Sequence, residues 1–365
     1  MTALPATDAL IALFEREGYA RLEPPLLQPA EVFVELSGED IRRRMFVTQD
    51  ASGRELCLRP EYTIPVCRRH LAEAPGRLGR YSYLGPVFRL RPNETGEFLQ
   101  AGIELIGRSD GPAADAEVLG LALEGLAALG GGSVQVRLGD VGILGALVDA
   151  LGLSPSAKRR LLRAIVSGRG LEAARAEDGQ GIAEHAGLLA AIEGQAPQAA
   201  RAFVEDILSI AGISRVGGRS AAEIAERFLA RAQNRSGTLS DEAHKVLTRY
   251  LAISGDPDAA ASAIHALAQD AGLDLDAAIA TLEQRTGFMA ARGLEVADFT
   301  FSAAFARSLD YYTGFIFEIS DPGRAAGKPL VGGGRYDGLL EHLGAPHPVP
   351  AVGCAFWLER IGSGA

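Results

Sequence analysis

Two short stretches concentrate groups that could hold a charged small molecule. In "LCLRPEYTIPVCRRHL" (56–71), Leu56 and Leu58 read as buried strand positions, the chain turns at Pro60, and Glu61 and Thr63 follow at the strand's end. A carboxylate and a hydroxyl so placed could hold an ammonium group through charge-assisted hydrogen bonds. They could equally mark a helix start, where the dipole favours an acidic residue in the first turn. In "FARSLDYYTGFIFEI" (305–319), Arg307, Asp310, Tyr311 and Tyr312 lead into a strand-like alternation. Tyr312, Gly314, Ile316 and Glu318 fall on one side of it, and Tyr311, Thr313, Phe315 and Phe317 on the other.

Three further segments carry candidates. "GPVFRLRPNETGEFLQAGIELIG" (85–107) reads as strand, loop, strand. In its second strand Phe98, Gln100, Gly102 and Glu104 share a face opposite Leu99, Ala101, Ile103 and Leu105. The polar face suits either a ligand or solvent. "VGGGRYDGLL" (331–340) is glycine-rich and runs into a helix, yet it lacks both the Gly-Lys-Ser/Thr of a Walker loop and the dinucleotide spacing. Alone it implies a close approach of backbone to a ligand. "PAVGCAFWLERIG" (350–362) is a strand entering a helix, with Arg360 either a surface residue or a ligand contact.

The elements that must position these groups differ along the chain. Residues 1–138 mix a helix over "TDALIALFEREG", with Thr7 or Asp8 as cap, with proline-punctuated strands. Residues 139–297 turn to alanine, leucine and charge at helical spacing, as in "AKRRLLRAIVSG", "QAARAFVEDILSIAG", "SAAEIAERFLARAQ" and "LDLDAAIATLEQRTGFMAARG". Residues 298–365 return to strands. The expectation is an α+β fold, an antiparallel sheet flanked by helices and interrupted by a helical insertion.

Composition narrows the function classes. With 36 Lys+Arg against 46 Asp+Glu the net charge is -10, which disfavours a dominant nucleic-acid surface. Cys57, Cys67 and Cys354 lie too far apart for a metal site and read as small core residues of a reducing compartment. No apolar run reaches the ~18 residues of a membrane span, and "MTALPATDALIALFEREGYA" lacks a basic leader. A cytoplasmic protein without membrane contact is expected.

The order and wording of the segments resemble histidyl-tRNA synthetase, a class II aminoacyl-tRNA synthetase, over most of 8–138 and 298–362. "GYARLEPPLLQP" resembles its motif 1 region, "LRPEYT" its L-R-P-E-G-T, and "GPVFRLRP" the start of its motif 2. "ARSLDYYTGFIFE" resembles R-G-L-D-Y-Y-x-x-x-x-F-E of histidine-specific members, and "GGGRYDGLLEHLG" and "PAVGCAFWLERI" the last two segments. The resemblance implies a class II synthetase-like fold and a histidine pocket. In it Glu61, Thr63 and Gln100 would hold the amino group and Arg307 the carboxylate. Glu104, Tyr312 and Tyr336 would read the imidazole, with Tyr311 close by.

Departures from the family concern its nucleotide and tRNA functions. Only five residues follow Arg360, so no anticodon-binding domain is expected, nor tRNA as a partner. The loop "NETGE" (93–97) is short and acidic where the family is basic, and its carboxylates would repel phosphates. Trp357 stands where the family has a glycine beside adenine. Arg89, Phe98, Trp357 and Arg360 would then mark a vestigial nucleotide site. A kept amino acid half and a damaged nucleotide half resemble the regulatory subunits of ATP phosphoribosyltransferase. That resemblance implies a non-catalytic chain without a cofactor, a homodimer within a hetero-oligomer. Its partner would be the short-form catalytic subunit and its effector histidine, in the first step of histidine biosynthesis. The alternatives are a truncated ligase activating histidine for another acceptor, which the three arginines favour, and a scaffold with a vestigial pocket.

Overall fold

The computed structural model describes residues 5–37, 39–91, 95–153, 155–166, 170–171, 215–216, 219–220, 240–306, 311–323 and 328–362. Contacts divide the chain into two compact units, one of residues 1–147 and 249–365, the other of 148–248.

The first unit is built on a nine-stranded sheet, with strands numbered here in chain order and given from one edge to the other. They are β1 (Ala20–Arg21), β5 (Gly79–Phe88), β6 (Glu97–Ile106), β14 (Ala351–Trp357), β13 (Val331–Arg335), β12 (Phe315–Ser320), β7 (Gln135–Asp140), β11 (Thr300–Ser302) and β10 (Ser254–Gly255). Only the β1/β5 and β7/β11 pairs are parallel. A smaller antiparallel sheet has the order β2 (Leu27–Pro29), β4 (Glu55–Leu58), β3 (Val47–Gln49).

Period-two alternation gives the large sheet two unlike faces. Ala101, Ile103 and Leu105 of β6, Val352, Cys354 and Phe356 of β14, and Phe315, Phe317 and Ile319 of β12 are buried in phase with one another. Against β6, β14 and β13 packs helix α5 (Gly111–Ala128), capped by Asp110 and buried on most of its surface. It lies beneath α1 (Pro5–Arg16) and a later helix, Asp276–Ala291. Asp115 of α5 accepts bonds from Arg285 of that later helix at 2.8 Å and from Arg335 of β13 at 2.7 Å. Arg285 also reaches Asp140 at 2.8 Å, so buried charges tie both helices to the strand ends.

Contacts place the unit boundaries at 147/148 and 248/249. The reason is that the helices Pro257–Ala271 and Asp276–Ala291 pack against each other and the second against α5 of the sheet unit. Helix α1 begins at Pro5, whose fixed φ suits a first helical turn, so Thr7 and Asp8 lie inside it. In β4 the buried residues are Cys57 and the following Arg59, while Leu56 and Leu58 are half-buried. Arg59 is drawn inward by three acceptors: the Pro24 carbonyl at 2.6 Å, the Pro86 carbonyl at 3.0 Å and the Tyr62 hydroxyl at 2.5 Å. Within the second unit, the described part includes a helix over Pro155–Val166 and a hairpin of Arg215–Val216 with Arg219–Ser220. The stretches "QAARAFVEDILSIAG" and "SAAEIAERFLARAQ" lie outside the described residues.

Candidate functional site

The second face of the large sheet is nearly bare of side chains at its centre. Gly102 of β6, Gly353 and Ala355 of β14 and Gly332 and Gly334 of β13 lie in phase across three adjacent strands. The bareness is required. A Cβ on Gly353 would fall 1.6 Å from Glu104 Oε2, and one on Gly102 would fall 2.3 Å from the Tyr83 hydroxyl. Over this floor lies a cavity of about 160 Å³, with room for a small organic molecule.

Six expected residues come together around it, Tyr311 and Tyr312 among them. Glu61, Thr63 and Gln100 line the cavity, and so does Tyr336. Glu61 sits just before helix α4 (Thr63–Glu73), where its Oε2 accepts from the Thr63 backbone N–H at 2.6 Å and its Oε1 from Ile64 N–H at 2.9 Å. It therefore caps the helix and faces the cavity at once. Burial pushes its carboxyl above the usual range, against the pull of the Ile64 N–H and Arg89. Gln100 is 2% exposed, and its side chain has no hydrogen-bond partner among the described residues. An amide so placed can donate to or accept from a molecule in the cavity.

Glu104 lies one layer behind. Its Oε1 accepts from Thr63 Oγ1 at 2.7 Å and its Oε2 from the Tyr336 hydroxyl. Burial pushes its carboxyl up to about 8, opposed by those two hydroxyls. Tyr311 and Tyr312 line the cavity beside Tyr336, with ring centroids of Tyr311 at 5.0 Å from Tyr312 and 5.8 Å from Tyr336. Burial raises the Tyr311 and Tyr336 phenols well above their ordinary value, so both are neutral donors at pH 7. Arg307 lies outside the described residues.

The residues assigned to a nucleotide site are also near. Trp357 is buried and lines the cavity, with the Arg360 guanidinium 4.7 Å over its ring. Arg360 donates to the Pro329 carbonyl at 2.6 Å. Arg89 lines the cavity and donates to the Pro60 carbonyl at 2.6 Å, its guanidinium 5.5 Å from the centre of the buried Phe98 ring. Residues 93 and 94 of the "NETGE" segment lie outside the described residues, so only its last three are placed, with Glu97 exposed at the start of β6.

Sequence reasoning missed Arg44, Tyr62 and Tyr83 of the lining. Tyr62 and Tyr83 stack at 4.2 Å, an aromatic wall held by Arg59. The phase of Tyr83 opposite Gly102 was the available signal, but it depends on knowing that β5 pairs with β6 in that register. A second cleft, of about 560 Å³, opens beside Asp115, Asp140 and Arg285, whose charges are paired with one another. Among the described residues no cluster of His, Cys, Asp and Glu could hold a metal, and the three cysteines are buried and free. No helix among the described residues is long and apolar enough to cross a membrane.

Comparison with known proteins adds to this geometry. The profile of the family described as histidyl-tRNA synthetase matches residues 5–205 and 202–361. The ATP phosphoribosyltransferase regulatory subunit of Mesorhizobium japonicum is 43% identical over 365 residues, spanning 98% of this chain and 96% of that protein. This chain belongs to the ATP phosphoribosyltransferase regulatory subunits. The name is that of a regulatory chain rather than a catalytic one, and the synthetase-like fold is that of the wider family. A Bacillus halodurans structure described as ATP phosphoribosyltransferase regulatory subunit/histidyl-tRNA synthetase superposes with a TM-score of 0.68 at 23% identity, covering 98% of this chain and 77% of that one. A histidine–tRNA ligase subunit from Alicyclobacillus acidocaldarius gives 0.59 at 27% identity, covering 98% and 90%.

Proposed function

We propose that the cavity binds histidine as a feedback effector, and that the chain activates the short-form catalytic subunit of ATP phosphoribosyltransferase in the first step of histidine biosynthesis. The observation that carries this reading is the meeting of Glu61, Gln100 and the Thr63–Glu104–Tyr336 hydrogen bonds over a glycine floor. Free histidine presents an ammonium, a carboxylate and a ring with two nitrogens, and a buried site must satisfy each or lose affinity. Glu61 and Gln100 take the ammonium, Glu104 with Thr63 and Tyr336 sets the polarity at the ring, and Arg307 meets the carboxylate. Family membership supports the partnership with the catalytic subunit. The working protein is a cytoplasmic homodimer within a hetero-oligomer, and coupling between the pocket and the catalytic chain requires about 1–3 kcal/mol.

The rival reading is a ligase that makes histidyl adenylate, and the retained Arg89 and Arg360 favour it. Trp357 opposes it, since its indole borders the cavity and carries Arg360 over its own ring instead of leaving that guanidinium to a nucleotide. Reconstitution decides between them. Phosphoribosyl transfer by a short-form catalytic subunit should rise when this chain is added and fall again with histidine. Histidine-dependent pyrophosphate exchange by this chain alone should be undetectable, and robust exchange would establish the ligase instead.

A further inference from the structure

We propose that Arg44 is a second contact for the carboxylate of the bound amino acid, meeting it at the mouth of the cavity in addition to Arg307; the proposal rests on the reading of the cavity as a histidine site. Arg44 lies outside the motif-like segments of the synthetase resemblance, yet it lines the cavity and is exposed, which puts it where the cavity opens. Its side chain has no hydrogen-bond or ion-pair partner among the described residues. Its starting point is nevertheless fixed. The Arg44 N–H donates to the Ile41 carbonyl at 2.9 Å, its carbonyl accepts from Leu90 N–H at 2.7 Å, and the Phe46 carbonyl accepts from Leu58 N–H at 3.0 Å. Ile41 and Met45 on either side are buried.

The charge layout gives the direction of binding. Glu61 and Glu104 are buried, whereas Arg44, which lines the same cavity, is exposed. An α-amino acid entering with its ammonium and side chain towards the two carboxyl groups leaves its carboxylate towards Arg44. A guanidinium is suited to that group because its planar fork matches the two oxygens. Arg89 has its Nε committed to the Pro60 carbonyl, which leaves Arg44 the more adaptable of the two.

Calorimetry on the full chain with two ligands tests this. Histidinol keeps the ring and the ammonium of histidine and carries a hydroxymethyl group in place of the carboxylate. Arg44→Ala should weaken histidine about tenfold and leave histidinol unchanged, since one charge-assisted hydrogen bond is worth about that factor. Arg44→Lys should fall between parent and Arg44→Ala for histidine alone. Equal weakening of both ligands, or no weakening of histidine, overturns the proposal while leaving the histidine reading intact. A parent chain that binds neither ligand overturns the reading of the cavity and this proposal with it.

Discussion

Thr63 Oγ1 donates to Glu104 Oε1 at 2.7 Å, joining the first residue of helix α4 to the second half of β6 across 41 positions of sequence. The Tyr336 hydroxyl takes the other carboxylate oxygen, so one buried acid fixes side chains from three separate segments. If the cavity is the histidine site proposed above, this acid's effects reach both ligand binding and stability.

Glu104→Gln replaces an oxygen that accepts with an amide nitrogen that can only donate. Histidine affinity should fall on the order of tenfold, as when a buried hydrogen-bonding group loses its partner at about 1–3 kcal/mol. The complex with the catalytic subunit should still form, still be activated, and resist histidine. Unchanged binding in calorimetry would remove Glu104 from the pocket. Lost binding with inhibition intact would place the inhibitor on the catalytic chain.

The same acid sets a pH dependence. Burial raises Glu104 from 4.5 to about 8, so the folded chain keeps a proton that the unfolded chain releases above pH 4.5. The stability it contributes is complete below that value and is lost as pH rises through about 8. The slope is at most about 1.4 kcal/mol per pH unit for one proton. Urea unfolding at pH 5, 6, 7 and 8 should show the parent losing stability faster than Glu104→Gln. Parallel curves would contradict the assignment.

Gly353→Ala places a methyl group 1.6 Å from Glu104 Oε2 and 2.7 Å from the Ile103 carbonyl, with backbone on one side and a pinned carboxyl on the other. We expect a loss of about 1–3 kcal/mol in denaturant unfolding, together with loss of histidine binding. A variant as stable as the parent would mean that Glu104 can swing aside.

Leu26, Leu27 and Val47 are among the large apolar side chains left exposed, and the last two belong to the outer strands of the small sheet. If this surface joins two copies, the isolated chain should sediment as a dimer at micromolar concentration, and Leu27→Glu with Val47→Lys should make it monomeric. A monomeric parent would place the exposed leucines and valine in another role.

What the sequence conveyed depended on range. The two faces of β6 were legible because the period of two is local, and so was the strand-to-helix passage at Trp357 and Leu358. The docking of Asp276–Ala291 on α5 was not, because it runs through Arg285 and Asp115, 170 positions apart. At the site, matched segments identified Glu61, Gln100 and Tyr336, which the cavity brings together. The layering of Glu104 behind Thr63, and the burial of Arg59 by three acceptors, depend on contacts no single segment contains.

The glycine floor has a consequence for how such a pocket can change. Main-chain atoms are common to every residue type, so the floor of the cavity keeps its polarity under almost any drift the fold survives. Novel ligand preference must then arise in the walls, from Thr63, Tyr311, Tyr312 and Tyr336, or at the rim. A descendant could exchange one small molecule for another there without re-registering a single strand.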